Sequence, residues 1–318
     1  MKPPYQITKN ILSLVSSIAE KIGEVNAAKL NRPPTELRKK NRIKTIQSSL
    51  EIEGNTMTVE QITDLLGDKR VLAPKKDIIE VKNAVDLYSR LDDFDPYNPE
   101  SLLQAHAILM KGLVDQPGKY RNTAVGIVKG EQVAHIAPPG HMVTALVNDL
   151  FAYLRDDDDL PLIKSCVFHY EFEFIHPFPD GNGRMGRLWQ TLLLREYSPV
   201  FEFLPIETLV KDRQEEYYRI LNLSDRSGHS TPFVEFMLHI IRDALEDLLR
   251  TQTPSLTGHD RISLFQDHVK NGWFTRQEYL RHNKDISPAT ASRDLKTAVD
   301  NQTLEKSGDK RTAKYRFL

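Results

Sequence analysis

Twelve consecutive residues concentrate the chemistry this chain can do: His176-Pro177-Phe178-Pro179-Asp180-Gly181-Asn182-Gly183-Arg184-Met185-Gly186-Arg187. They set an imidazole, a carboxylate, a glycine-framed loop and two guanidinium groups directly before an apolar run at 188–194. Pro177 and Pro179 keep the residues before them out of helix, while Gly181 and Gly183 let the backbone turn sharply enough for N–H groups to converge on an anion. A helix beginning near Arg184 would aim its positive end at the same point. Arg184 and Arg187 are three apart, so both can project from the first turn toward a polyphosphate, and Asp180 is a hard oxygen ligand suited to Mg²⁺ beside it. His176 stands just outside as a proton acceptor. The layout is that of a phosphate site with a base next to it.

Such a loop needs rigid elements around it, and the sequence supplies helices. From about residue 8 to 250 apolar residues recur three and four apart, so the fold class expected is mainly α. Asn98-Pro99-Glu100 is an N-cap with proline in the first turn, and Thr58-Val59-Glu60-Gln61 is a capping box. Further helical patterns cover roughly 76–92, 141–154, 160–174, 184–196, 213–223 and 232–250. Around 118–139 the period changes: Val125-Gly126-Ile127-Val128 and Val133-Ala134-His135-Ile136 are β-prone and read as a hairpin turning at Gly130. The acidic run from Asp156 to Asp159 reads as a solvated loop. His106, His135 and His169 lack a ligand pattern and fit core or hairpin roles rather than a metal site.

With 318 residues, two or three domains are expected rather than one core. The expected division is an N-terminal helical region at 1–97, a core at 98–250, a polar linker at 251–258 and a tail domain at 259–318. Lys and Arg number 43 against 44 Asp and Glu, which excludes a polybasic nucleic-acid coat and confines any nucleic-acid role to one segment. That segment would be the tail, which carries 12 basic and 8 acidic residues. Its helix from Ser287-Pro288 is followed by Leu304-Glu305-Lys306, a Gly308-Asp309 turn and Lys314-Tyr315-Arg316-Phe317, the order of a winged helix-turn-helix. DNA binding, dimerisation and target docking all remain open for it, as does a homodimer. Cys166 is the one cysteine, so no internal disulfide can form. Neither a secretory leader nor a run of about 18 apolar residues is present, and a cytoplasmic protein without membrane contact is expected.

The twelve-residue stretch matches the motif His-x-Phe-x-(Asp/Glu)-Gly-Asn-Gly-Arg-x-x-Arg at every defined position, and the chain thereby resembles the Fic family. The resemblance implies a helical Fic core with a short β-hairpin flap, and an enzyme that moves AMP from ATP to a Ser, Thr or Tyr hydroxyl of a target protein or of itself. His176 would take the hydroxyl proton, Asp180 would hold Mg²⁺, and Asn182 with the loop amides would steady the α-phosphate. Gly181, Gly183, Arg184, Gly186 and Arg187 would line the rest of the nucleotide site, with Val133, Ala134 and His135 of the flap above it and Tyr217 against adenine. Gly183 favours adenylylation, because the related Doc-type kinases carry Lys there. The target would lie along the flap by backbone pairing.

A second motif resembles the family's inhibitory sequence (Ser/Thr)-x-x-x-Glu-(Gly/Asn): Ser49-Leu50-Glu51-Ile52-Glu53-Gly54, at the end of a helix with the stripe Ile43, Ile46 and Leu50. Ser49 and Glu53, four apart, share a face. The resemblance implies that Glu53 pairs with Arg187 and keeps it from the γ-phosphate, a task suited to a two-point carboxylate–guanidinium contact. In some relatives the same glutamate aligns a water that removes AMP. A nucleotide-sensing DNA-binding regulator and an AMP-removing enzyme are the alternatives left open.

Overall fold

A computed structural model describes residues 2–28, 30, 35–123, 126–129, 132–252, 257–269, 272–284, 286–309 and 312–318, with only the backbone at 126–129, 132–136, 252 and 267. The chain divides into two compact units, Met1–Gln252 and Thr253–Leu318. Residues 253–256 of the expected linker and the expected turn at Gly130 lie outside the described residues.

The first unit is helical apart from one hairpin. α1 (Lys9–Ala27) is capped by Thr8, whose hydroxyl accepts from the Ile11 N–H at 3.1 Å, and it buries Ile11, Leu14, Ile18 and Val25. It packs against α11 (Thr231–Gln252), so the N-terminal region shares one core with the rest and is not a unit of its own. α2 (Thr35–Ile52) carries the buried stripe Ile43, Ile46 and Leu50, and α3 (Val59–Leu66) opens on the Thr58–Gln61 capping box. α4 (Lys75–Ser89) and α5 (Pro99–Leu109), the latter capped by Asn98, precede the hairpin of β1 (Gly126–Lys129) and β2 (Gln132–Ile136). α6 (Val143–Asp156) follows.

α7 (Pro161–Ile175) and α8 (Asn182–Tyr197) form the centre, and both are buried around most of their circumference. Phe151, Phe168 and Trp189 meet edge to face there. α9 (Ile206–Asp212) and α10 (Gln214–Ser227) close the unit against α2 and α11. The acidic run after α6 differs from the solvated loop expected: Asp157 and Asp159 hold the Lys2 ammonium at 3.1 and 2.9 Å, and Asp159 accepts from the Tyr153 hydroxyl at 2.9 Å. Residues far away in sequence meet these carboxylates, which no local pattern announces. Among the described residues no helix is long and apolar enough to cross a membrane.

The second unit contains α12 (Gly258–Val269), β3 (Phe274–Thr275), α13 (Arg276–His282), α14 (Pro288–Asp300), β4 (Leu304–Ser307) and β5 (Lys314–Phe317). Its sheet is antiparallel in the order β3-β5-β4, with Leu304 opposite Phe317 and Phe274 opposite Tyr315. Phe265, Phe274, Tyr279 and Leu295 fill the core, and the Arg261 fork grips Asp294 at 2.8 and 3.0 Å.

Candidate active site

The base lies just past the end of α7, the loop leads into α8, and the opposing carboxylate lies just past the end of α2. α7 ends at Ile175, and His176 follows in the left-handed region, φ 50° and ψ 60°, with its N–H still donating to the Phe172 carbonyl at 2.9 Å. Left-handed backbone at a residue with a Cβ costs energy and persists only where its surroundings determine it. His176 is half-buried where α7 gives way to the loop.

The loop closes through Asn182. Its Oδ1 accepts from the Phe178 N–H and its Nδ2 donates to the Phe178 carbonyl, both at 2.8 Å, with 2 % of the residue exposed. The side chain expected beside a phosphate thus also builds the loop. Gly181 has φ 84°, and a Cβ there would sit 2.8 Å from the Met110 sulfur. This left-handed step lets α8 start at Asn182, two residues before the expected start near Arg184.

Asp180 is half-exposed, and its Oδ1 accepts from the Gly181 N–H at 2.5 Å and from Arg184 Nη2 at 3.0 Å. Among the described residues its Oδ2 has no partner. Arg184 is buried, and its Nη1 reaches Glu80 Oε1 on α4 at 3.0 Å. Glu80 Oε2 in turn accepts from Asn55, just past the end of α2, at 2.9 Å.

Ser49 and Glu53 meet on one guanidinium. Arg187 Nη2 donates to Glu53 Oε1 at 2.7 Å and to the Ser49 carbonyl at 2.9 Å, while its Nε donates to Ser49 Oγ at 3.1 Å. The pair is therefore a one-point contact rather than the two-point fork expected, because Ser49 takes the donors that a second carboxylate oxygen would use. Arg187 is 3 % exposed. Burial pulls its pKa down, but the Glu53 charge and hydrogen bond more than offset this and hold it above the usual value.

A crystal structure of a Fic family protein from Desulfovibrio desulfuricans G20 matches the whole chain and 98 % of its own, at 42 % identity and a TM-score of 0.77. The chain belongs to the Fic family. The model of the Fic/DOC family matches residues 96–194. Among curated relatives, a protein adenylyltransferase Fic from Nematostella vectensis is 26 % identical over 82 % of this chain and 61 % of its own length. One from Drosophila grimshawi is 30 % identical over 71 % of this chain and 45 % of its own. The chain thus spans less than two thirds of the length of these relatives. The C. elegans Fic-1 structure shares the fold at 21 % identity and a TM-score of 0.60.

In this Fic protein the remaining expected contacts divide. Tyr217 is 1 % exposed, its hydroxyl 3.1 Å from His169 Nε2, and His169 Nδ1 meets Gln190 at 2.7 Å. Burial pushes the His169 pKa down to about 3, so the imidazole is neutral and links Tyr217 to the core. The neighbouring Tyr218 is only half-buried. Gly186 lies against α7, where a Cβ would come 3.1 Å from Glu173 Oε1. The side chains of Val133, Ala134 and His135 lie outside the described residues; the β2 backbone passes α10.

Three residues of the site, Glu80, Arg121 and Glu207, are not marked by the sequence, whereas His106 takes the core role expected of it. Glu80 and Arg121 sit in ordinary-looking segments. His106 is fully buried, accepts the Gly118 N–H on Nδ1 at 2.8 Å, contacts the Asp180 carbonyl through Nε2 at 3.0 Å and stacks on Phe178 with centroids 3.6 Å apart. With Nδ1 accepting, Nε2 carries the proton, and burial pushes the His106 pKa down to about 4. Glu207 on α9 is 2 % exposed near Arg187, and burial pushes its carboxyl up to about 7.

Proposed function

We propose that this protein transfers AMP from ATP to a hydroxyl side chain of a protein, itself included, and that Glu53 restrains the reaction. The observation that carries the reading is the Glu53–Arg187 contact at 2.7 Å, laid across the same loop that His176 and Asp180 border. Glu53, one residue past the end of α2, pairs with Arg187 beside the anion loop, so its carboxylate stands where an anion on that loop would meet the guanidinium.

In the proposed reaction His176 takes the proton of the target hydroxyl, whose oxygen bonds to the α-phosphorus as the bond to the β-phosphate oxygen breaks and pyrophosphate leaves. Loop N–H groups and the α8 N-terminus receive the α-phosphate, and Arg184 and Arg187 hold the rest, so positioning and charge neutralisation supply most of the acceleration. The donor chemistry fits Mg²⁺: Asp180 offers a hard carboxylate whose contacts to the Gly181 N–H and Arg184 use Oδ1 alone. Such an ion, shared with phosphate and water oxygens, would neutralise triphosphate charge. Tyr217 and Tyr218 mark the proposed adenine side, and the target backbone would pair along the flap.

Incubation with ATP labelled in either the α- or the γ-phosphate tests this directly. Label from α alone, stronger in Glu53→Gly and absent in Glu53→Gly/His176→Ala, supports the reading; label from γ alone makes the protein a kinase, and label from neither returns the AMP-removing alternative.

A second reading concerns the C-terminal unit. Its element order is that of a winged helix, with Arg293, Lys296 and Thr297 exposed on α14. Duplex DNA is the partner proposed for that face. The 318-residue chain should then bind duplex with a steep salt dependence that Arg293→Ala/Lys296→Ala flattens; binding unchanged by the double substitution would remove this reading.

A further inference from the structure

Arg121 is 4 % exposed and makes no ion pair among the described residues. Its guanidinium is spent on four backbone carbonyls instead. Nε donates to His176 at 2.7 Å, Nη1 to Thr123 at 2.6 Å, and Nη2 to Pro138 at 2.7 Å and to Ile175 at 3.0 Å. Its own backbone N–H donates to the Pro177 carbonyl at 2.9 Å.

These acceptors fall into two groups. Ile175 and His176 are the end of α7, where the last carbonyls of a helix lack internal partners and the helix dipole is negative. A cation with several donors satisfies both demands, and so supports the left-handed turn at His176 without glycine. Thr123 and Pro138 are the two roots of the flap, fifteen residues apart in sequence. There the stems touch backbone to backbone: a Cβ on Gly140 would lie 2.2 Å from the Asn122 carbonyl carbon. Only a planar fork of five N–H groups reaches both sets together; a lysine ammonium has three donors around one nitrogen.

We infer that Arg121 is a positioning residue that ties both roots of the flap to the turn bearing His176, so that a target backbone laid along the flap arrives in register with the base. This rests on the adenylyl-transfer reading. Buried without a carboxylate, the cation would be an expensive way to fill space; as a clamp it gives flap and base one rigid reference. A misplacement of about 1 Å at a reacting group can cost on the order of a hundredfold in rate.

The test uses the full chain in the Glu53→Gly background, comparing Arg121→Lys with its parent. Three quantities are read: self-incorporation of AMP, ATP affinity by calorimetry, and hydrogen exchange along the chain. The expected result is a fall in incorporation of about 10- to 100-fold, ATP affinity within about twofold of the parent, and faster exchange confined to 121–123, 137–140 and the end of α7. Gly140→Ala, which separates the stems without touching the guanidinium, should reproduce that signature if Arg121→Lys folds poorly. Unchanged incorporation, or exchange rising at one flap root without the α7 end, overturns the inference. A Glu53→Gly parent that incorporates nothing defeats the adenylyl-transfer reading instead, and the exchange pattern still reports on the clamp.

Discussion

Glu53 reaches Arg187 through the space that a side chain at position 183 would fill: a Cβ on Gly183 would lie 2.3 Å from Glu53 Oε1 and 3.0 Å from Arg187 Nη1. The glycine that frames the anion loop is also the one that admits a carboxylate from just past the end of α2. Site and restraint share a single requirement for an absent side chain.

Gly183→Ala should therefore unseat Glu53. Alanine favours a helix over glycine by about 1 kcal/mol, so in Glu53→Gly the substitution is expected to be neutral or stabilising. With Glu53 present it should cost about 1–2 kcal/mol through the displaced ion pair. Urea denaturation of the four proteins in a double-mutant cycle checks this; equal effects in both backgrounds would place the strain elsewhere.

What the sequence disclosed was what lies close together along the chain. The loop from His176 to Arg187, the helix starts at Thr58 and Asn98, and the four-residue spacing of Ser49 and Glu53 are local patterns, and each stands in the structure as an element or a shared face. What escaped was contact across sequence: Glu80 on Arg184, 104 residues away, His106 under Asp180, and the Arg121 clamp. α9 was missed because seven residues after Pro205 give too short a period to read. The loop-closing bonds of Asn182 to Phe178 are likewise not legible in the sequence, because an amide in an anion loop can hold backbone as well as phosphate.

His106→Ala should damage the loop from below. It strands the Gly118 N–H and the Asp180 carbonyl in a buried space and removes the ring that stacks on Phe178. A loss on the order of 3–4 kcal/mol is expected in chemical denaturation. A loss under about 1 kcal/mol would mean that water replaces the imidazole at no cost.

Glu207 gives stability a pH dependence of definite sign. Its carboxyl is raised from an ordinary 4.5 to about 7 by burial. Between those values the folded protein keeps a proton that the unfolded chain has released, so this group costs stability increasingly as pH rises through the window, and the cost is constant above it. Glu207→Gln, neutral throughout, should match wild type near the bottom of the window and exceed it by up to about 3 kcal/mol above the top. Urea midpoints at both ends decide the matter; a difference independent of pH would contradict the assignment.

The central claim is that Glu53 governs transfer by occupying Arg187. Its most direct measurement is the initial rate of AMP incorporation, by intact mass, in wild type, Glu53→Gly and Glu53→Gly/Arg187→Ala. The account expects a rise of at least about tenfold, equivalent to about 1.4 kcal/mol in the barrier, on removing Glu53, and a fall to wild-type level or below on then removing Arg187. No rise in Glu53→Gly, or a rise that persists without Arg187, would contradict it.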